Sequence, residues 1–580
     1  MLRRRGTGVT ARESADQQSP GVEQLLADVP PGETPDVSGA FPRLEETRLR
    51  ELAAWGERRP TTRGDVLVAE GEVEDTFYVV LSGRVAVVEA LGTPDQRVAR
   101  LHGPGRFLGE LGVLTRQPAF LSDVVVDPGE VLAVPADRLR AVAARDHAFG
   151  DLVLQAYLVR RWLMLGEGIG FRIIGSRYSA TTRQLREFAV RNRLPHRFRD
   201  LETDPTAEQL LRSLGLGPGD TPIVLYRDRL LRNPSTADLA PMFGLCDIGD
   251  GREICDLVVV GAGPAGLAAA VYGASEGLDT ALLDGVALGG QAARTSCIEN
   301  YLGFPSGIAG GELAERAVLQ AEKFGARRSV PSEVVGLEER DGNHVLRFAD
   351  GGELATRTVI IASGVRVRRL PVPGLRQFED TCVYYAATPI EAQQCVGDPV
   401  VVVGGGNSAG QAAVFLAGHA AEVHLVVREH ELDENMSRYL ADRIVQDPCI
   451  EVHLHTMVEG LEGEAGRLEA VVVTDTVTGE QQRLRARDLM VFIGGEPSTS
   501  WLPDSVALDS GGYVLTGPDA RRPAQRGRSG GPDPLLLETS LPGVFAAGDV
   551  RSGSVKRVAS AAGEGAMAVR MVHEHLAKAW

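Results

Sequence analysis

The sequence predicts a multidomain chain: an N-terminal β-roll, a small α/β domain, and two larger α/β domains built around glycine-rich loops. Three observations carry this reading. At 580 residues the chain has room for about four domains of ordinary size. Short Val- and Leu-rich runs separated by Gly-containing turns fill the stretch from Thr61 to Val134, the spacing of an all-β unit. Further on, the pattern of strand, Gly-x-Gly turn and helix occurs twice, opening at Gly261 and again at Gly404.

Hydrophobic residues make up 43% and charged residues 24%, so large cores can be buried and disorder throughout is excluded. The 61 basic and 78 acidic residues leave a net charge of −17, which argues against nucleic acid or an anionic membrane surface as the main partner. The six cysteines, Cys246, Cys255, Cys297, Cys382, Cys395 and Cys449, form no Cys-x-x-Cys and no metal-like pairing. A reduced, cytoplasmic protein without a metal site is the expectation. Residues 1–40 carry Arg3, Arg4 and Arg5 and then polar residues with no apolar stretch; they read as a disordered tail rather than a secretion signal. Residues 257–275 are uncharged over the length of a membrane span. Gly261, Gly263, Pro264 and Gly266 interrupt that stretch, so a buried strand, loop and helix is expected.

The first domain is assigned to residues 41–165, with an apolar helix over 149–165. Its segments Ser82-Gly-Arg-Val and Gly103-Pro-Gly-Arg-Phe-Leu-Gly-Glu-Leu-Gly-Val-Leu resemble the cyclic-nucleotide-binding domain of the catabolite-activator type. The resemblance implies a pocket at Gly109, Glu110 and Ser122, with backbone N–H groups for a cyclic phosphate and a carboxylate for the ribose. In that family an Arg about ten residues on neutralises the phosphate; here Ala119 or Phe120 stands in its place. A phosphate without that cation loses about 1.5–3 kcal/mol. A module kept for packing, dimerisation or another ligand is therefore expected ahead of cyclic-nucleotide binding. No helix-turn-helix follows, which argues against a transcription factor.

Residues 168–246 form the second domain. A strand at Phe171-Arg-Ile-Ile, a helix over 180–193, a strand at His196-Arg-Phe-Arg-Asp-Leu and a hairpin after Asp220 resemble a thioredoxin or glutaredoxin fold. The resemblance implies a cis-proline turn at Thr221-Pro222. Ser176 and Ser179 stand where the family carries its Cys-x-x-Cys, and hydroxyls cannot form a disulfide, so a redox-dead scaffold is expected.

The third unit carries the strongest signal. Asp256-Leu-Val-Val-Val-Gly261-Ala-Gly263-Pro264-Ala265-Gly266 is a strand feeding a G-x-G-x-x-G turn into a helix, and Asp284 closes the next strand 23 residues after Gly261. That is the fingerprint of a Rossmann-like dinucleotide site, with Asp284 for the adenosine ribose. The second fingerprint, Val400-Val-Val-Val-Gly404-Gly-Gly406-Asn407-Ser408-Ala409, lies 143 residues downstream. The strand after its helix ends in Arg428, a cation suited to the 2′-phosphate of NADPH, with Glu429 beside it. NADPH is favoured and NADH is the alternative.

Two nucleotide modules with a returning C-terminal segment resemble the low-molecular-weight thioredoxin reductases, flavoproteins of the pyridine nucleotide-disulfide oxidoreductase family. The match runs through Gly289-Gly290-Gln291, Ile298-Glu299-Asn300-Tyr301, Thr358-Val-Ile-Ile-Ala-Ser-Gly364, Phe492-Ile-Gly494-Gly495 and Gly543-Val-Phe-Ala-Ala-Gly548-Asp549. It implies FAD bound by residues 252–367 and 496–580, NAD(P)H bound by residues 368–495, and a homodimer. Gly290, Gln291, Asn300, Gly364, Gly548 and Asp549 join the FAD site by this resemblance, and Gly494 the NAD(P) site. Asp549 would hold the ribityl chain, and a helix beginning at Ala561 would face the isoalloxazine. Lys556 and Arg557 stand where the family often has Arg-Gln before that helix, and with Val558 they join the FAD site by this resemblance.

The family's dithiol, shortly before the second glycine loop, is replaced by Ala387, Thr388, Pro389 and Ile390. Cys382 and Cys395 flank the gap, as candidates for a relay or as two small buried hydrophobes. His424 and His430 are read as packing or solvated. The resulting expectation is an FAD enzyme that oxidises NAD(P)H. Its acceptor is a thioredoxin-like disulfide, or ferredoxin, a quinone-like molecule or oxygen. A slow-turnover ligand sensor is the reading from a different class.

Overall fold

The computed structural model describes Leu25 and residues 30, 32–93, 95–227, 229–248, 254–379, 381–464, 467–521 and 534–578. It divides into two compact units, residues 1–245 and 246–580.

In the first unit, α1 (Glu46–Ala53) precedes a roll of six strands. These are β1 (Glu57–Thr61), β2 (Val66–Val68), β3 (Thr76–Glu89), β4 (Arg97–His102), β5 (Phe107–Leu108) and β6 (Ser122–Pro135). The path runs β1-β6-β3-β4, with β2 on β6 and β5 on β3. The long antiparallel pair β3 and β6 shifts register around Ser82 and Arg84. Gly129 lets the strands cross there, since a Cβ on it would lie 2.1 Å from the Ser82 carbonyl oxygen. This bend turns Phe77, Val79, Leu132 and Val134 toward one core, and Ala86, Val88, Val124 and Val126 toward another.

Most of the expected tail lies outside the described residues, but its end is not free. Leu25 is buried against Ala86 and Val126, and the Thr34 N–H donates to the Leu101 carbonyl at 3.0 Å. A short helix α2 (Glu110–Thr115) sits between β5 and β6, and α3 (Ala136–Arg145) and α4 (His147–Glu167) close the roll. Asp146 caps α4 by accepting from the Phe149 N–H at 3.0 Å, and Gly168 ends it at φ 61°.

The rest of this unit is a four-stranded sheet ordered β10-β9-β7-β8. It comprises β7 (Phe171–Gly175), α5 (Ala180–Arg191), β8 (His196–Asp200), α6 (Pro205–Ser213), β9 (Ile223–Tyr226) and β10 (Arg229–Arg232). The Thr221–Pro222 peptide before β9 is cis. Phe243 joins sheet and roll, stacking on Phe120 at 5.9 Å and lying 4.7 Å from Phe171 and 5.0 Å from Tyr226.

In the second unit, a seven-stranded sheet holds β11 (Cys255–Val260), β12 (Thr280–Leu283), β13 (Arg327–Ser329), β14 (Val334–Arg340), β15 (Asn343–Phe348), β16 (Glu353–Ile361) and β27 (Val544–Ala546), which pairs with β16. Its helices are α8 (Pro264–Ser275) and α9 (Gly310–Lys323), and α13 (Val558–Lys578) returns from the C-terminal end; a short α7 (Thr236–Leu239) closes the first unit before them. Leu257, Val258, Val259 and Val260 are all buried, as a strand covered on both faces requires.

The sheet draws strands from both sides of an inserted domain. That domain has a parallel sheet ordered β18-β25-β19-β20-β21. Its members are β18 (Val383–Tyr384), β19 (Pro399–Val403), β20 (Glu422–Val426), β21 (Ile450–His453) and β25 (Asp488–Val491). Three helices accompany it: α10 (Pro389–Gln394), α11 (Asn407–Ala417) and α12 (Arg438–Gln446). A meander of β22 (Thr456–Glu464), β23 (Arg467–Asp475) and β24 (Gln481–Arg485) follows β21. Two short strands, β17 (Val365–Val367) and β26 (Gly495–Pro497), pair where the chain enters and leaves the insert. Among the described residues no helix is long and apolar enough to cross a membrane.

Candidate active site

The fingerprint glycines sort into two kinds. Some are demanded by packing: a Cβ on Gly261 would lie 2.3 Å from the Ala362 carbonyl oxygen, one on Gly266 1.8 Å from that of Gly261, and one on Gly404 2.3 Å from that of Phe492. Others meet no protein that would exclude a side chain. Gly263 caps α8 and Gly406 caps α11 with φ of −73° and −97°, values open to any residue. A Cβ on Gly406 would find nothing within 4 Å, and one on Gly263 only the Gly290 Cα at 4.0 Å. Space is thus kept clear in front of two helix N-termini whose first N–H groups lack helical partners, as a pyrophosphate requires.

Asp284 ends the strand beside the first loop. Its Oδ2 accepts from the Ala262 N–H at 2.9 Å, and its Oδ1 from the Val286 and Ala287 N–H groups at 2.9 and 3.0 Å. The carboxylate therefore braces the loop, and each oxygen keeps at most limited capacity for a ribose hydroxyl.

At the other end of the cradle, Gly290 approaches Gly263 closely, and the Gln291 side-chain amide donates to the Val365 carbonyl. Asn300 lies exposed on its loop. Gly364 and Gly494 each leave open space. Asp549 is half-buried, with no side-chain hydrogen bond among the described residues; burial raises its pKa above the ordinary carboxylate value while Lys556 pulls it back down. A half-buried carboxylate with acceptor capacity to spare beside Gly548 fits the polyhydroxyl chain of FAD. Lys556 lies over the Tyr513 ring at 4.9 Å and donates to its hydroxyl at 3.0 Å.

The helix α13 starts at Val558, directly after Arg557, three residues earlier than expected from the Ala561 motif. Sequence reasoning missed Glu564 on this helix. It accepts from the Gly548 N–H at 2.8 Å and from Arg551 at 2.5 Å, tying α13 to the turn that presents Asp549. A lone acid within Ala561-Ala-Gly563-Glu-Gly-Ala was the available signal.

At the second loop, Asn407 accepts from the Ser437 N–H at 2.6 Å, Ser408 is exposed and Ala409 buried. The Arg428 side chain is 74% exposed. Glu429 is the less exposed of the two, and its carboxylate lies against the loop: a Cβ on Gly405 would come 2.4 Å from Glu429 Oε2. Cation and acid thus stand side by side next to the second glycine loop. An ion pair between Arg443 and Glu299 at 3.2 Å holds the insert to the sheet domain, and Thr295 bridges to Ala387.

The two candidate thiols are not brought together in one core. Cys382 packs with Val383, Val401 and Leu489, and Cys395 with Val400, Ala409 and Met490. Burial raises the pKa of both, and the charge of Asp488 raises that of Cys395 further. Both thiols thus lie buried in apolar surroundings, the setting of a structural rather than a reactive cysteine.

In the roll, Gly109 is required by its turn, since a Cβ would lie 2.4 Å from the Thr76 carbonyl oxygen. Glu110 is buried in an ion pair with Arg160 at 2.6 Å, and Arg160 also donates to the carbonyls of Ala40 at 2.6 Å and Phe107 at 3.1 Å. Ser122 accepts from the Glu70 N–H at 3.0 Å. Asp123 nearby is held well above its ordinary pKa by burial and by Glu110. Phe120, at the place of the family's phosphate arginine, is buried in the aromatic cluster around Phe243.

Two loops of this kind, one backed by a half-buried acid and one by a cation, define a flavoprotein served by a nicotinamide nucleotide. The profile of the pyridine nucleotide-disulphide oxidoreductases matches residues 255–565, and that of the cyclic nucleotide-binding domain residues 58–146. The chain belongs to the pyridine nucleotide-disulphide oxidoreductase family. It is similar to NADPH-dependent thioredoxin reductase 3 of Arabidopsis thaliana, 33% identical over 56% of this chain and 59% of that protein. The thioredoxin reductase of Treponema pallidum is 33% identical over 55% of this chain and 97% of its own length. Lactococcus lactis thioredoxin reductase in its FR conformation superposes with a TM-score of 0.51 at 26% identity, covering 56% of this chain and 99% of that one. The protein is accordingly an NAD(P)H-dependent flavin oxidoreductase of the thioredoxin reductase type, with FAD and NADPH as cofactors, joined to a cyclic-nucleotide-binding-like domain.

Proposed function

We propose that the protein oxidises NADPH and reduces an external acceptor without a thiol relay of its own. The observation that carries this is the region before the second loop: Ala387, Thr388, Pro389 and Ile390 replace a dithiol, and the flanking Cys382 and Cys395 are buried with raised pKa values. Bound FAD would supply hydride acceptance from the nicotinamide, chemistry that needs no protein nucleophile. The chain's part is to bind and orient. Gly263 and Gly406 keep the pyrophosphate cradles open, and Asp549 offers acceptor oxygens to the ribityl hydroxyls. Arg428 attracts the 2′-phosphate, and the first turn of α13 presents its N-terminal partial charge.

Relatives named thioredoxin reductases make a thioredoxin disulfide the competing acceptor; ferredoxin, a quinone-like molecule and oxygen are those a relay-free site serves. A homodimer and a cytoplasmic setting belong to the same reading, supported by the family and by six cysteines that form no disulfide. The roll is read as a packing module or a site for a ligand other than a cyclic nucleotide.

Anaerobic stopped-flow absorbance tests the proposal. NADPH should bleach the flavin, ferredoxin or oxygen should restore its colour, and Cys382→Ser and Cys395→Ser should leave both phases unchanged. Reoxidation by thioredoxin that either serine variant abolishes would overturn it.

A further inference from the structure

Pairing of β20 with β21 assembles a cluster that spacing along the chain conceals. In the parallel register His424 stands opposite Glu451, and Val426 opposite His453. All three polar side chains share the sheet face of Val426, away from α11 and α12. His424 Nδ1 lies 3.2 Å from His453 Nε2 and 3.3 Å from Glu451 Oε2. His453 Nε2 lies 3.7 Å from Glu451 Oε1. Among the described residues this is the one group of three side chains with metal-ligating atoms so close together.

We propose that His424, Glu451 and His453 bind a divalent ion of the zinc type. Metal–ligand bonds of about 2.0–2.1 Å at tetrahedral angles place neighbouring ligand atoms about 3.3 Å apart, and two of the three separations match that edge before any metal enters. Two imidazoles and one carboxylate select an imidazole-preferring ion over calcium or magnesium, which take oxygen ligands. An outer carboxylate is also in place. Glu422 Oε2 lies 3.7 Å from His424 Nε2, so with Nδ1 on the metal the opposite ring N–H faces an acceptor, as ligating histidines commonly do. Both imidazoles are less than a tenth exposed while Glu451 is 55% exposed, leaving a fourth position on the solvent side for water or an incoming ligand. The bound ion would tie edge strand β21 to β20, two residues short of Arg428.

The competing account is a hydrogen bond between two neutral imidazoles, with no ion. Full-length protein stripped with a chelator and dialysed against buffered Zn2+ distinguishes the two, with bound metal read by elemental analysis and Co2+ substitution read by its visible bands. One equivalent of zinc, lost in His453→Gln and Glu451→Gln and weakened about tenfold in Glu422→Gln, is expected, along with Co2+ bands of a nitrogen and oxygen site. Because both imidazoles are buried, the exposed carboxylates Glu451 and Glu422 carry the test, and circular dichroism checks the folding of every variant. No zinc bound at micromolar free ion overturns the proposal and leaves a hydrogen-bonded pair only. Zinc binding unaffected by the 453 and 451 substitutions, or Co2+ bands of thiolate character, overturns it equally.

Discussion

Arg428 and Glu429 stand side by side, 3.9 Å apart, and on the proposed reading they set the nucleotide preference. The guanidinium extends into solvent, where a 2′-phosphate would take up a charge-assisted contact. The carboxylate lies against the Gly405 backbone, where it would repel that phosphate and accept from a ribose hydroxyl. Arg428→Ala should weaken NADPH by about tenfold or more and NADH by far less. Glu429→Gln should move the ratio the other way, tightening NADPH. Equal losses for the two nucleotides in Arg428→Ala, measured by titration of intrinsic fluorescence, would remove the arginine from the phosphate site. Glu110 shows the reverse lesson at this scale. Its carboxylate, read from the Gly-Glu motif as a ribose ligand, is spent on Arg160, a residue 50 positions away, and no local pattern announces that partner.

Within the strand, loop and helix elements, glycines of one motif do different work. Gly266 lets α8 pack on the loop before it, with no room for even one methyl group. Gly263, one turn earlier, has an ordinary φ and an open front. Gly263→Ala should therefore leave the secondary structure intact and lower flavin content, measured as flavin absorbance per protein. Gly266→Ala should unfold the domain or drop its melting temperature sharply. An alanine at 263 that retains full flavin would refute the cradle. Both glycines were legible because a strand, a tight turn and a helix N-terminus impose fixed spacing on a short stretch of chain. The same holds for β19 through α11, and for the alternation of β3 and β6. What escaped was non-local. Residues beyond 32 lie on the roll through the Thr34 and Leu101 pair, and composition alone gave them to a tail. Likewise His424 meets Glu451 and His453 only because two strands separated by α12 become neighbours, and the cysteines flanking residues 387–390 enter separate cores despite their closeness in sequence.

At the scale of the whole molecule, the question is whether the roll informs the flavoprotein. Each unit has its own hydrophobic clusters, so communication has to appear as a coupling free energy. Any ligand of the roll must change NADPH affinity by the same factor by which NADPH changes affinity for that ligand. A cyclic nucleotide is poorly placed for this role. Its phosphate would find no free cation beside Glu110 among the described residues, with Arg160 already engaged by Glu110 and two carbonyls and with Phe120 committed to the aromatic cluster. Cyclic AMP at millimolar concentration should therefore shift NADPH affinity by less than about fivefold, the lower end of ordinary allosteric coupling, and leave the rate of flavin bleaching unchanged. Matching shifts in both directions, with cyclic AMP tightening NADPH and NADPH tightening cyclic AMP equally, would instead make the roll a sensor. It would also require the Glu110–Arg160 pair to open on binding, which Glu110→Gln would then mimic by releasing Arg160 for the phosphate.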